Sequence, residues 1–430
     1  MSAIPEEFLH FIWNFQYFNK SVLTGTENEK IAILKKGIHN ANAGPDFSDT
    51  HIFIDDVEWH GAVEIHCYSS EWKKHNHQQD AAYNTVVLHV VYEHDQECYR
   101  QDGTRVPVLE LKDRVFQYPL QQYHNLMSNH GKIPCEAFLK DIPSIIYTSQ
   151  LQRAMVQRLE RKAHNVLEVL TKNKMDWEET AYQLFVKSFG SKVNQDAFFQ
   201  LSQSVPFSIL KKQSNSIFQL EALLFGVAGL IPCDSEDSYV ANLSKEYSFL
   251  KSKYDTVLKE MNQSYWKFSR IRPAHFPTVR LAQLASILVE LPHLFSTFLS
   301  IRSSREMDFL IKVMPSLFWQ QHYTFQKKST DKIGGIGTEM IHNILINVVV
   351  PLLAAYAIYT QDSMYMEQAV FVLEKMPSEK NSILEKYKSL NFSIHHAFDS
   401  QAILELDRYF CSQKKCLQCM IGSQILKKND

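Results

Sequence analysis

"NAGPDFSDTHIFIDDVEWHGAVEIHC", residues 42–67, decides how the first third of the chain folds. Two short runs rich in β-branched and aromatic residues, "THIFID" (50–55) and "VEWHGAVEIHC" (57–67), flank the pair Asp55-Asp56. Such runs joined by a two-residue acidic connection predict an antiparallel hairpin. Side chains two apart on a strand share a face, so Glu64 and His66 point the same way. Asp46, just after Pro45 at the mouth of the preceding strand, comes near Glu64 if the strands pair. The plain alternative is a structural hairpin whose polar residues face water.

Further strands are predicted at "KIAILKK" (30–36), "NTVVLHVVYEH" (84–94) and "VPVLELK" (106–112), after an aromatic-rich helix at "EEFLHFIWNFQYF" (6–18). This describes a small mixed sheet with a helix. Beyond residue 136 the period changes to that of helices. "SQLQRAMVQRLERKAHNVLEVLTKN" (149–173) sets Leu151, Met155, Leu159 and Ala163 on one face. Helices are also expected at 178–188, 195–204, 216–229, 242–260, 277–300, 336–359, 363–375, 378–389 and 397–410. The fold class is therefore α+β, with a sheet domain over 1–136 and a large all-α domain over 137–430.

Charge supports the division. Residues 1–135 hold 11 Lys and Arg against 18 Asp and Glu, a net of −7, and 11 of the 18 histidines. The remainder holds 34 basic and 29 acidic residues, a net of +5. An acidic, His-rich first part is not the basic footprint of a strong nucleic-acid binder. "MSAIPEEFLHFIW" has acids where a secretion signal has basic residues. The longest apolar run, 343–359, carries Asn347 and Pro351 and reads as a buried helix rather than a membrane span. With seven scattered cysteines, a reduced cytoplasm is expected.

Two carboxylates and an exposed carbonyl, those of Asp46, Glu64 and Ile65, are what Mg²⁺ or Mn²⁺ accepts. Pro45-Asp46, a spacer, then Glu64-Ile65-His66 resembles the PD-(D/E)XK nuclease superfamily. The resemblance implies metal-dependent phosphodiester hydrolysis, with Asp46 and Glu64 as ligands. His66 stands where that family has lysine, and 68–83 is short for its crossover helix. His75 and His77 lie in the following loop and His89 on the next strand, so imidazoles could join the carboxylates around a metal. Lys73 and Lys74 could supply the missing cation.

At whole-chain scale, "NAGPDF", "VEIH", "QLEALLFGVAGL", "RIRPAHFPTVRLAQLA", "HNILINVVVPLLAAYA" and "CSQKKCLQCMIG" resemble an uncharacterised bacterial family, known only as a domain of unknown function. That resemblance implies no activity.

In the helical part, Arg270, Arg272 and Arg280 surround two prolines, and Pro277 suits a helix start where an anion or nucleic-acid phosphate could bind. Salt bridges are the bland reading. Glu221 and Asn347 read as members of buried polar networks. Cys411, Cys416 and Cys419 have C-x₄-C-x₂-C spacing, suited to zinc or part of an iron–sulfur cluster, with a fourth ligand to come from Cys233, Cys135, His395, Cys67 or Cys98. No phosphate-binding glycine loop, G-x-S-x-G elbow or HExxH is present. The leading expectation is a metal-dependent nuclease. Its rivals are a non-catalytic scaffold and a metal-dependent hydrolase of a small molecule. Nothing in the residues fixes the oligomeric state.

Overall fold

The computed structural model describes residues 4–40, 42–233 and 235–427. The chain divides into two compact units, Met1–Gln150 with Leu406–Asp430, and Leu151–Glu405. The fold is α+β: a six-stranded mixed sheet with helices in the first unit and a helical second unit. The division falls after Gln150 rather than at 136, and the last stretch of the chain returns to the first unit.

The first unit opens with α1 (Glu6–Phe15), which buries Phe8, Leu9, Phe11, Ile12 and Trp13. The strands are β1 (Ile31–Lys35), β2 (Ile38–His39), β3 (Phe47–Ile54) and β4 (Val57–Tyr68), then α2 (Glu71–Lys74), β5 (Val86–Glu93) and β6 (Val108–Glu110). Sheet order is β1-β3-β4-β5-β6, with β2 also on β3. β3 and β4 form the expected hairpin, Ile54 pairing Val57 across Asp55 and Asp56. Asp55 takes the left-handed conformation (φ 51°) that such a tight connection needs.

β4, β5 and β6 then pair in parallel, Glu64 opposite His89. The parallel strands are covered on both faces, so Val86–Val91 is buried without alternation. The same coverage buries Ala62–His66 at the end of β4, with Val63 and Ile65 on one face and Glu64 and His66 on the other. A pair of acid and imidazole is thus carried into the interior by a strand that could not otherwise be so apolar.

The second unit packs around one large core that includes Met155, Leu159 and Ala163. Two of the expected helices are interrupted at a proline. The stretch 277–300 breaks into Pro277–Glu290 and Leu294–Ser300, bent by 82°. Pro292 lies in the gap, without an N–H and with a ring that clashes with the preceding turn. In 338–360, a π-helical turn, Leu345–Val349, precedes Pro351. Proline cannot donate to the carbonyl four residues back, and the wider turn absorbs the mismatch. This stretch, Thr338–Thr360, is the one described helix long and apolar enough to cross a membrane, and 72% of its apolar window is buried in the structure. Asn347 within it accepts from Lys162 at 3.3 Å. Burial lowers the Lys162 amine to about 8.

Candidate metal centre

The loop before β3 is closed by Asn40, whose side chain donates to the carbonyls of Ala43 and Pro45 and whose N–H donates to Asp46 O. This sets Asp46 at the mouth of β3, beside the end of β4. The two acids then clasp each other's strands. Asp46 N–H donates to Glu64 Oε2 (3.1 Å), and Ile65 N–H donates to Asp46 Oδ2 (2.9 Å). The Ile65 amide, rather than its carbonyl, therefore meets the acidic pair. His10 from α1 brings Nε2 to 3.2 Å from the same Asp46 oxygen.

Two imidazoles flank Glu64 Oε1, and a third stands behind one of them. His77 Nε2 lies at 3.3 Å and His66 Nε2 at 3.6 Å, while His75 Nδ1 is 3.2 Å from His66 Nε2. One nitrogen each of His66, His75 and His77 falls within 4.8 Å of the other two. Glu64, His66 and His77 are buried, whereas His75 is exposed and Asp46 half-buried. His77 stacks on Tyr83 at 3.7 Å and meets Trp72 edge-on, which fixes its ring plane.

His89 stands behind His66 rather than beside the other imidazoles. Its Nε2 is 2.9 Å from His66 Nδ1, and its Nδ1 is 3.4 Å from Cys98 Sγ. The Cys98 thiol donates toward Ser69 O at 3.3 Å. A carbonyl can only accept, so the direction of the whole relay follows. Cys98 accepts from His89 Nδ1–H, His89 Nε2 accepts from His66 Nδ1–H, and His66 Nε2 is left with a lone pair that can accept from His75 Nδ1–H. That lone pair faces a carboxylate oxygen.

Electrostatics point the same way. Burial, followed by the neighbouring His77 and His75, lowers His66 to about 3. Burial and His66 hold His89 well below its ordinary range. Burial raises Glu64, opposed by His77 and reinforced by Asp46. Burial also raises Glu6, with Asp46, Glu71 and Glu64 adding to it. His10 is raised: desolvation opposes this, but Asp46, Glu6 and Glu64 outweigh it. Burial thus keeps His66 and His89 neutral beside the crowded acids.

A divalent cation fits this donor set. His77 Nε2 is buried with no hydrogen-bond partner, and its contact with Glu64 is not directed as a hydrogen bond. The lone pair of His66 Nε2, within reach of His75 Nδ1, also lies 3.6 Å from Glu64 Oε1. An ion bound by both nitrogens and by Glu64 Oε1 would turn the unpartnered His77 nitrogen into a ligand.

The other expected residues lie as follows. Lys73 and Lys74 are exposed on α2, and Lys74 is close enough to His66 to disfavour its protonation. Arg270, Arg272 and Arg280 belong to the second unit. Arg270 and Arg272 are exposed, while Arg280 donates to Gln283 at 2.9 Å. Arg280 and Arg272 both disfavour protonation of His275, so these groups share one neighbourhood. Glu6, His10, Tyr83 and the support role of Cys98 were not foreseen. Glu6 and His10 could have been noticed as polar residues four apart, on one face of an otherwise apolar helix. A second group, His51, Glu58 and His60, also sits within 4.8 Å but is half-buried to exposed on the hairpin.

The protein is α+β, and its first unit gathers two acids and a set of imidazoles at the end of the central hairpin. The chain belongs to the family described as protein of unknown function (DUF2851), whose model matches residues 6–382. No curated protein and no solved structure matches the chain.

Proposed function

We propose that the first unit is a divalent-metal-dependent phosphodiesterase of PD-(D/E)XK type, acting on nucleic acid in the cytoplasm. The observation that supports this reading is the meeting of Asp46 and Glu64 at adjacent strand ends, with His66 and His77 nitrogens beside Glu64 Oε1 and His75 beside His66. A helix, an antiparallel hairpin and a parallel strand frame the pair. Glu64, His66 and His77 would hold the metal, with His75 on the solvent side. So many imidazoles favour Mn²⁺ or Zn²⁺ over Mg²⁺. When bound, a divalent ion supplies Lewis acidity toward a phosphoryl oxygen and toward water.

The chain's own groups supply the rest. Asp46 takes both the Ile65 amide and His10 on Oδ2, which leaves Oδ1 as the acceptor for a water proton. His10, with its raised pKa, returns a proton to the departing oxygen. His66, held neutral, cannot replace the lysine of the nuclease pattern, and Lys74 takes over that charge from α2. Arg270 and Arg272 serve as phosphate-binding groups of the helical unit.

A second reading, hydrolysis of a small phosphoester, is favoured by the burial of Glu64, His66 and His77. The test is cleavage of single-stranded, duplex and branched DNA, and of bis(p-nitrophenyl) phosphate, with Mn²⁺. Nucleic-acid cleavage by wild type, absent in a folded Asp46→Asn/Glu64→Gln chain, is expected. Cleavage of the small ester alone would favour the second reading. Activity undiminished in the double variant would sink both.

A further inference from the structure

The turn end of the β3–β4 hairpin carries a second set of metal-ligating side chains, remote from Asp46 and Glu64. His51 on β3 pairs directly with His60 on β4. Directly paired residues stand on one face of a sheet, and Glu58, two residues before His60, shares that face. The diagonal from His51 to Glu58 is within reach of a long side chain. Strand alternation and hairpin register alone thus bring two imidazoles and a carboxylate together.

The contacts between them are close. The His51 and His60 rings stack with centroids 4.1 Å apart. Glu58 Oε1 lies 2.6 Å from His51 Nε2 and 3.2 Å from His60 Nε2. One nitrogen of each imidazole and a Glu58 oxygen all fall within 4.8 Å of one another. The thiols of Cys411, Cys416 and Cys419, by contrast, form no such group among the described residues. His60 Nε2–H donates to Glu58, but His51 Nε2 is buried with no hydrogen-bond partner. Its contact with Glu58 is not directed as a hydrogen bond, so a buried polar nitrogen stands unpaired beside an anion. Lys35, opposite His51 on β1, forms an ion pair with Asp49, which neutralises the nearest cation.

We propose that His51, Glu58 and His60 bind Zn²⁺ or a similar borderline divalent cation, which clips β3 to β4 and keeps one coordination position open to water. Two imidazoles and a carboxylate, with water in the fourth place, is a ligand set that zinc adopts. Imidazole donors select zinc, nickel or copper over magnesium and calcium. Zinc bonds of about 2.0–2.1 Å in a tetrahedron put neighbouring ligand atoms about 3.3 Å apart. The His60–Glu58 pair already has that separation, and the exposed Glu58 carboxylate can withdraw from His51 to reach it. The His60 and Glu58 side chains are 67% and 51% exposed, so the ion enters from solvent and its fourth position faces solvent. Along β4, His60 precedes Glu64 by a distance of about 13 Å, at roughly 3.3 Å per residue. Two ions that share one reaction lie about 3.5–4 Å apart. The hairpin site is therefore independent of the Glu64 centre and of the nuclease reading.

Equilibrium dialysis of the full chain against micromolar zinc, followed by metal analysis, tests this. Wild type, His51→Ala/His60→Ala, Glu64→Gln/His77→Ala and the chain combining both pairs are compared. His51→Ala/His60→Ala should hold about one zinc fewer than wild type, and the combined chain about one fewer than Glu64→Gln/His77→Ala. Each comparison is a difference, so zinc taken by cysteines or other histidines cancels. If the Glu64 centre takes no zinc, wild type and Glu64→Gln/His77→Ala hold equal amounts, and the loss on removing His51 and His60 is still read. Zinc should also slow amide hydrogen exchange across 50–61 by about tenfold in wild type and leave it unchanged in His51→Ala/His60→Ala. Equal zinc in these two chains, or wild-type hairpin exchange that zinc does not slow, would overturn the proposal. The wild-type exchange measurement decides even where a variant does not fold.

Discussion

Mn²⁺ titrated into the wild-type chain is expected to fill a saturable site that Glu64→Gln and His77→Ala each weaken on the order of a hundredfold or more. Glu64 supplies the anionic oxygen nearest His77 and His66, and His77 contributes the buried nitrogen that has no hydrogen-bond partner. His89 gives the sharper test, because its hydrogen bond to the site is the one to His66 Nδ1. Loss of such a supporting partner typically costs about 10- to 100-fold in affinity. His89→Leu removes the acceptor that keeps the His66 proton on Nδ1, freeing the ring to place it on Nε2. His89→Gln offers an amide oxygen in the acceptor's place and should recover much of the affinity. Equal losses in the two His89 variants would mean that packing, not tautomer control, is what His89 supplies. Calorimetry on chains with matched circular dichroism makes the comparison.

The legible parts of this molecule are those set by local pattern. Alternation along 57–67 put Glu64 and His66 on one face, and the turn chemistry of Asp55-Asp56 closed the hairpin. What the residues could not reveal was depth. A half-exposed hairpin and one buried by a parallel neighbour share their alternation, and only the uninterrupted apolar run of β5 hints at the second case. His89 looked equivalent to His75 and His77, because a strand residue's face can be read from sequence but not whether another ring stands in front of it. His10 and Glu6 came from a helix whose apolar face masked them. In the second unit, Pro292 and Pro351 were visible, yet one bent its helix by 82° and the other was absorbed by a π turn. Propensity ranks both prolines alike, and tertiary packing made the difference.

Glu221 was readable as a buried polar residue, and its environment leads to the second large effect. The helix Ile217–Val227 is buried nearly all round, and Glu221 is 0% exposed within it. Tyr239 donates its hydroxyl to Glu221 Oε2 at 2.8 Å and accepts from the Trp319 indole at 2.9 Å. Burial pushes the Glu221 carboxyl up to about 7 from an ordinary 4.5, with Ser316 and Tyr239 only partly opposing it. The folded chain therefore keeps this proton through a range where the unfolded chain has released it. Stability from this group is intact below pH 4.5 and falls as pH rises toward 7. Above pH 7 the loss levels off at about 3 kcal/mol, from a shift of about 2.5 units at 1.36 kcal/mol each. Glu221→Gln is neutral at every pH, still accepts from Tyr239 through its amide oxygen, and can donate to Ser316. It should match wild type near pH 4.5 and exceed it by about 3 kcal/mol at pH 8 in urea unfolding. Taking the difference between variant and wild type at each pH cancels the other titrating groups. A difference that stays flat from pH 4.5 to pH 8 would show that Glu221 ionises in the folded chain as easily as in the unfolded one. The polar network around Tyr239 and Trp319 would then be stabilising the carboxylate rather than the acid.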